Sequence, residues 1–131
     1  AFASIDTPYL RILRNSPLTI NAWAISMKTH GFLRPHIHEY GWLSGTLYLK
    51  IPPKSDAREG DIAFSTAGGD YPTKSAGHVE KTVSVQEGLI NLFPASLFHR
   101  TVPFEATKTS RVCIAFDVCP EQLNGWDYLN K

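Results

Sequence analysis

The residues that could do chemistry together are few and widely spaced. His36 and His38 stand in "RPHIHEYGW", His99 in "PASLFHRTVP", Tyr48 in "LYLKIP", and Arg111 opens "RVCIAFDVC". Imidazole is a good ligand for iron, zinc, copper or nickel. Alternate residues of a strand share one face, so an extended 32–38 segment aims His36 and His38 at one point and turns Ile37 away. The plain alternative is two polar strand residues facing water. Glu39 follows the pair directly; it reaches the same point only if the strand ends or bulges at His38, which Tyr40-Gly41 allows. For Arg111 and Tyr48 the plain readings are a surface arginine and a core aromatic whose hydroxyl is satisfied.

These side chains need a scaffold, and β signals dominate. Segments 18–28, 32–38, 43–51, 61–65, 82–86, 88–93, 97–102 and 110–118 are β-branched, aromatic or alternating, and several stop at Pro52, Pro94, Pro103 or Pro120. About eight short strands separated by turn signals predict a sandwich or barrel. Helical expectations are confined to residues 4–15 and 121–130. The Gly-rich, polar stretch 65–81 is expected to be a loop at the mouth of the site, because loops of that length in compact domains are usually functional or disordered. Trp23, Phe64 and Phe116 are expected in the core, His30 and His78 in solvated loops.

The 131 residues suffice for one domain with a real core. A net charge of +1 gives no reason to expect nucleic acid or an anionic membrane as partner. No apolar run approaches the roughly 20 residues that span a bilayer, and "AFASIDTPYLRILRN" lacks the basic start and apolar stretch of a signal peptide. The chain has no initiator Met, which fits the catalytic part of a longer chain. Cys113 and Cys119 lie six residues apart in one expected strand, about 20 Å along it, whereas a disulfide needs Cα atoms within about 7 Å. Two free thiols agree with a reducing, cytoplasmic location.

The order of the motifs adds to this. His-x-His, then "WLSGTLYL", then Phe93-Pro94 with His99 and Pro103 following, then Arg111 with Ala115-Phe116, resembles the Fe(II)- and 2-oxoglutarate-dependent oxygenase superfamily, in particular a group of small members. The resemblance spans about residues 23 to 118 and implies a double-stranded β-helix, or jelly roll, with one or two short peripheral helices. It implies that His36 and His99 ligate Fe(II), or another divalent metal. Arg111 and Tyr48 would hold the far carboxylate of 2-oxoglutarate. Cys113 occupies a place that often carries Ser as a second contact to that carboxylate. His38 stands where most members have Asp or Glu; it is the expected third ligand, with Glu39 as the alternative. Three neutral imidazoles leave the centre one charge more positive than the usual two-His, one-carboxylate site. The activity implied is oxidation of a small-molecule or protein substrate coupled to decarboxylation of 2-oxoglutarate.

Two other readings stay open. Metal-binding cupins share the fold and a similar His spacing, and some act on three histidines without 2-oxoglutarate; the cupin Glu is missing at 42–43, and Arg111 has no use there. A non-catalytic domain that keeps a metal for structure is the third. The expectation is one all-β domain over 1–131, with an exposed strand edge that could support a homodimer.

Overall fold

A computed structural model describes residues 16–69, 71–72, 79–105 and 108–121. The expected helix at 4–15 and, apart from Glu121, that at 121–130 lie outside these residues, as does His78. The described residues form seven strands: β1 (Leu18–Met27), β2 (Leu43–Lys50), β3 (Ile62–Ser65), β4 (Glu80–Val83), β5 (Ile90–Pro94), β6 (Phe98–Thr101) and β7 (Arg111–Pro120). They form a four-stranded sheet in the order β1-β7-β2-β5 and a three-stranded sheet in the order β4-β3-β6. Every pairing is antiparallel. The two sheets and the non-sequential strand order are those of a jelly roll.

Strand β7 is the spine of the larger sheet. It pairs with β1 along its whole length, from Leu18 opposite Pro120 to Met27 opposite Arg111. On its other side it pairs with β2, with a register shift between Tyr48 and Lys50. Its burial alternates strictly: Arg111, Cys113, Ala115 and Asp117 are buried, while Val112, Ile114, Phe116 and Val118 are half-buried on the opposite face. The inner face of this strand thus carries the polar residues. The core between the sheets is built on Tyr48, Ile62, Val85, Phe93 and Cys113, with Ile25, Phe64 and Leu97 packed against it.

Four expectations need correction. Residues 32–38 are not a strand. Pro35 has no N–H for a ladder, and the segment makes only an isolated antiparallel bridge, His36 to His99. The fourth strand begins earlier than expected, at Glu80 within the predicted loop, and Ser84, Val85 and Gln86 fall outside it. The Val85 N–H donates to the buried Asp61 carboxylate at 3.0 Å rather than to a neighbouring strand. Asp61 also pairs with Lys54. Gly88 belongs to the turn before β5, at φ +81°, a conformation open to glycine without strain. Phe116 lies on the outer face of β7 rather than between the sheets.

That outer position is made by Gly45, opposite Phe116 in the register. A Cβ at Gly45 would stand 2.2 Å from the Phe116 ring, so the ring lies flat across the strand only because residue 45 has no side chain. Gly45→Ala should destabilise the protein by about 1–3 kcal/mol through overpacking, read as a lower urea midpoint with unchanged slope. An unchanged midpoint would show that the ring moves aside freely.

Candidate metal and co-substrate site

Three elements that are distant in sequence bring the histidines together. His99 is on β6, opposite Phe64 of β3. On the free side of β6, His36 and His99 exchange two backbone hydrogen bonds, His36 N–H to His99 O at 3.1 Å and His99 N–H to His36 O at 3.0 Å. The His38 N–H then donates to Ala95 O at 3.0 Å, and the Gly41 N–H closes a turn onto His38 O at 3.2 Å. The segment is thereby held against the β5–β6 corner with His36 and His38 turned inward, although it is not a regular strand. The ring centroids of His36, His38 and His99 lie 4.3 to 5.3 Å apart. One ligand atom from each ring falls within 4.8 Å of the other two. Small side-chain rotations would bring all three onto one ion.

The outward nitrogens fix which atom each ring presents. His36 Nδ1 donates to Arg34 O at 2.7 Å, His99 Nδ1 to Leu97 O at 3.0 Å, and His38 Nδ1 to the Asp117 carboxylate at 2.6 Å. With Nδ1 occupied as donor in every ring, each Nε2 keeps its lone pair for a metal. The set therefore fits a divalent cation. Burial holds the His99 pKa down to about 4, and His36 and His38 add to this; the Leu97 carbonyl works against it.

Glu39, the alternative third ligand, is exposed, and its carboxylate accepts a hydrogen bond from the Tyr71 hydroxyl. It is not part of the cluster. Tyr71 also meets the Phe98 ring edge-on at 5.4 Å. The described part of the long loop does lie beside the site: Gly69 and Tyr71 share a shallow open groove with His36, Ile37 and Glu39.

From the triad a cavity of about 250 Å³ runs between the sheets to Arg111, Tyr48, Thr46 and Cys113. Arg111 is buried. Its Nε–H donates to Gly60 O at 3.0 Å, one NH1 group lies 3.5 Å from Cys113 Sγ, and the guanidinium carbon sits 5.0 Å from the centre of the Tyr48 ring. The Tyr48 hydroxyl accepts from Asn91 Nδ2 at 3.2 Å, which leaves its own proton to donate. Burial pushes the Tyr48 pKa up against the opposing pull of Arg111, and burial likewise raises that of the Cys113 thiol. Both are neutral at pH 7. All the residues named for an anionic ligand thus meet at one end of the cavity.

The chain matches a family model described as "Putative 2OG-Fe(II) oxygenase" over residues 21–117. It belongs to this family. No curated protein matches it. Among solved structures it resembles a prolyl-4-hydroxylase from Pseudomonas putida, at 16% identity and a TM-score of 0.57 over 78% of this chain and 52% of that one. HygX from Streptomyces hygroscopicus, solved with nickel and 2-oxoglutarate bound, gives 16% identity and a TM-score of 0.60 over 86% and 63%. An oxidoreductase of the 2OG-Fe(II) oxygenase family from Burkholderia pseudomallei gives 11% and 0.58 over 80% and 46%. The fold is common to all of them. The chain covers between 46% and 63% of the length of these proteins.

Within this family member, residues beyond the motifs also build the site. Asp117 and Ser44 stand behind His38, Asn91 supports Tyr48, and Gly60 braces Arg111. Alternation alone marks Asp117: counting by twos from Arg111 sets Cys113, Ala115 and Asp117 on the same face. Asn91 and Gly60 carry no comparable signal.

The low His99 pKa has a consequence for metal-free protein. Between about pH 6.5 and 4 the unfolded chain takes up a proton on His99 that the folded chain refuses. That contribution is absent above pH 6.5 and grows as pH falls. Metal-free protein should therefore lose on the order of 3 kcal/mol from this group across the window. Urea unfolding of wild type and His99→Gln at pH 7 and pH 4.5 checks this. The wild type should fall more steeply, and equal slopes would place the His99 pKa near its ordinary value.

Proposed function

We propose that the chain is the catalytic core of an oxygenase that binds Fe(II) through His36, His38 and His99 and takes 2-oxoglutarate as co-substrate. Held by these residues, iron would supply dioxygen activation, with 2-oxoglutarate as the electron donor that would be decarboxylated to succinate. The observation that carries the reading is the continuous cavity with three lone pairs at one end and a buried Arg111 at the other. Among the described residues no ion pair joins the buried Arg111 to a carboxylate, so an anion bound beside it would offset the cost of burying its charge.

The protein's own part is binding, orientation and exclusion of water. Arg111 is held by Gly60 O and Cys113 Sγ, so its remaining N–H groups are aimed and need little reordering on binding. Tyr48, with its oxygen occupied by Asn91, offers its proton to the same carboxylate. Ile25, Leu33, Ile62 and Phe93 line the cavity between the two ends. Their apolar surface lowers the local dielectric and strengthens the charge pairing at each end. Trp23, whose ring centre is 5.5 Å from that of His38, closes the metal end from the side of β1. The substrate would approach through the groove beside His36, Glu39 and Tyr71.

Succinate production from 2-oxoglutarate by Fe(II)-loaded protein tests the activity, and Arg111→Ala tests the route. The wild type should form succinate, and the variant should need at least about tenfold more 2-oxoglutarate, the loss expected for a charge-assisted bidentate contact. Absence of both succinate and 2-oxoglutarate binding to metal-loaded protein would exclude the reading. A cupin-type reaction would leave product formation indifferent to Arg111.

Ligand identity is tested separately. His38→Ala should weaken metal binding at least tenfold and Glu39→Ala should not. The reverse ranking would move the third ligand to Glu39.

A further inference from the structure

We propose that Asp117 is the counter-anion and positioning residue of the metal centre, supplying from behind His38 the negative charge that a carboxylate at position 38 would have supplied directly. The inference rests on the metal site proposed above and concerns a residue outside the ligand set.

Asp117 is buried at 3% exposure on the inner face of β7. Its Oδ1 accepts from the Ser44 hydroxyl at 2.6 Å and from His38 Nδ1 at 2.6 Å, and Ser44 Oγ is itself 3.1 Å from that nitrogen. Ser44 is fully buried and faces Asp117 directly in the β2–β7 register. Gly41 keeps the place open: a Cβ there would stand 3.2 Å from the Asp117 carboxyl and 2.9 Å from Ala95 Cβ. Among the described residues, the ion pairs of the protein join Asp117 to no lysine or arginine; His38 is its partner.

A buried carboxylate without a cation is costly. A divalent ion on the far nitrogen of His38 provides that cation through the ring. In return, the carboxylate makes His38 a more electron-rich ligand and fixes its tautomer and plane. His36 and His99 have backbone carbonyls in the equivalent place, so the charged acceptor is confined to the ring at the position where the family resemblance expects an acid. The net charge of the centre is thus restored one bond network further out, and 2-oxoglutarate would meet a site of the ordinary charge.

The test uses Mn(II) alone, titrated into wild type and Asp117→Asn while free Mn(II) is followed by EPR, with no 2-oxoglutarate and no turnover. Asparagine keeps the shape and an acceptor for His38 but removes the charge. The Kd should rise at least about tenfold, while metal-free D117N should be as resistant to urea as the wild type or more so, because an uncompensated charge has been removed. A structural role alone predicts the opposite pair: lower metal-free stability and unchanged affinity. The charge-swapped protein H38D/D117N should bind Mn(II) at least about fivefold more tightly than D117N. If D117N does not fold, S44A is read in the same titration, where at least a threefold loss of affinity supports the assignment and no change overturns it. Unchanged affinity in D117N, or a loss that the swap does not recover, also overturns it. Wild-type protein that binds no Mn(II) removes the metal-centre reading and this inference together, whereas binding indifferent to Asp117 removes this inference alone.

Discussion

The site depends on two backbone hydrogen bonds, those exchanged by His36 and His99. Without them the 28–42 connection would be a loop over the mouth of the sandwich, and its histidines would sample many directions. With them an irregular segment becomes one more short rung beside β6, and its alternate residues acquire a defined inward face. Ordering the segment has a conformational cost of about 1–2 kcal/mol per residue. The bridge, the His38 N–H bond to Ala95 O and the turn at Gly41 offset that cost locally, before any metal is present. The rings are therefore drawn together by the backbone of the segment itself.

The larger sheet departs from the usual polarity of a half-buried sheet by carrying charged and hydroxyl groups on its inner face beside Ile25, Phe93 and Cys113. Its inner face holds Arg111, Asp117, Ser44 and Tyr48, and its outer face holds Val112, Ile114, Phe116 and Val118. Ile20, Ile90 and Leu92 extend the apolar outer face and are more than half exposed. The inward polar groups are tolerable because each is answered: Arg111 by Gly60 O, Tyr48 by Asn91, Ser44 and Asp117 by each other and by His38. The interior is thus a set of paired polar groups around a cavity, set in a smaller core of Ile62, Val85 and Phe93.

Much of this was legible in the amino-acid sequence, and the rest was hidden for physical reasons. Strands β2, β5, β6 and β7 show themselves because alternation and terminating prolines are local signals. Three of them, β2, β6 and β7, carry Tyr48, His99, Arg111 and Cys113, so most of the candidate site could be named. The 32–38 segment reads as a strand because its residues alternate. Its actual conformation follows from pairing with β6, a tertiary effect that overrides local propensity. The same-face argument for His36 and His38 reached the right outcome through the wrong regularity. The loss of Val85 from β4 depends on the Asp61 carboxylate 24 residues away in sequence, which no local pattern announces. Phe116 looks like core by composition, and only the cross-strand Gly45 explains why the ring lies outside.

Strand β7 joins the two ends of the site in one rigid element. Arg111 and Asp117 are six residues apart on its inner face, about 20 Å along the strand. One faces the anion-binding end and the other backs His38. A cation and an anion fixed at opposite ends of one strand give the cavity a permanent electrostatic direction. A dicarboxylate between them would be drawn toward Arg111 by one carboxylate and kept from Asp117 by its charge unless a cation stood between the two. On the proposed assignment, a metal ion on the three histidines would be that cation. The charges would then run Asp117, metal, dicarboxylate, Arg111, alternating in sign at every step, so that each charged group would have an opposite neighbour and none would be buried alone.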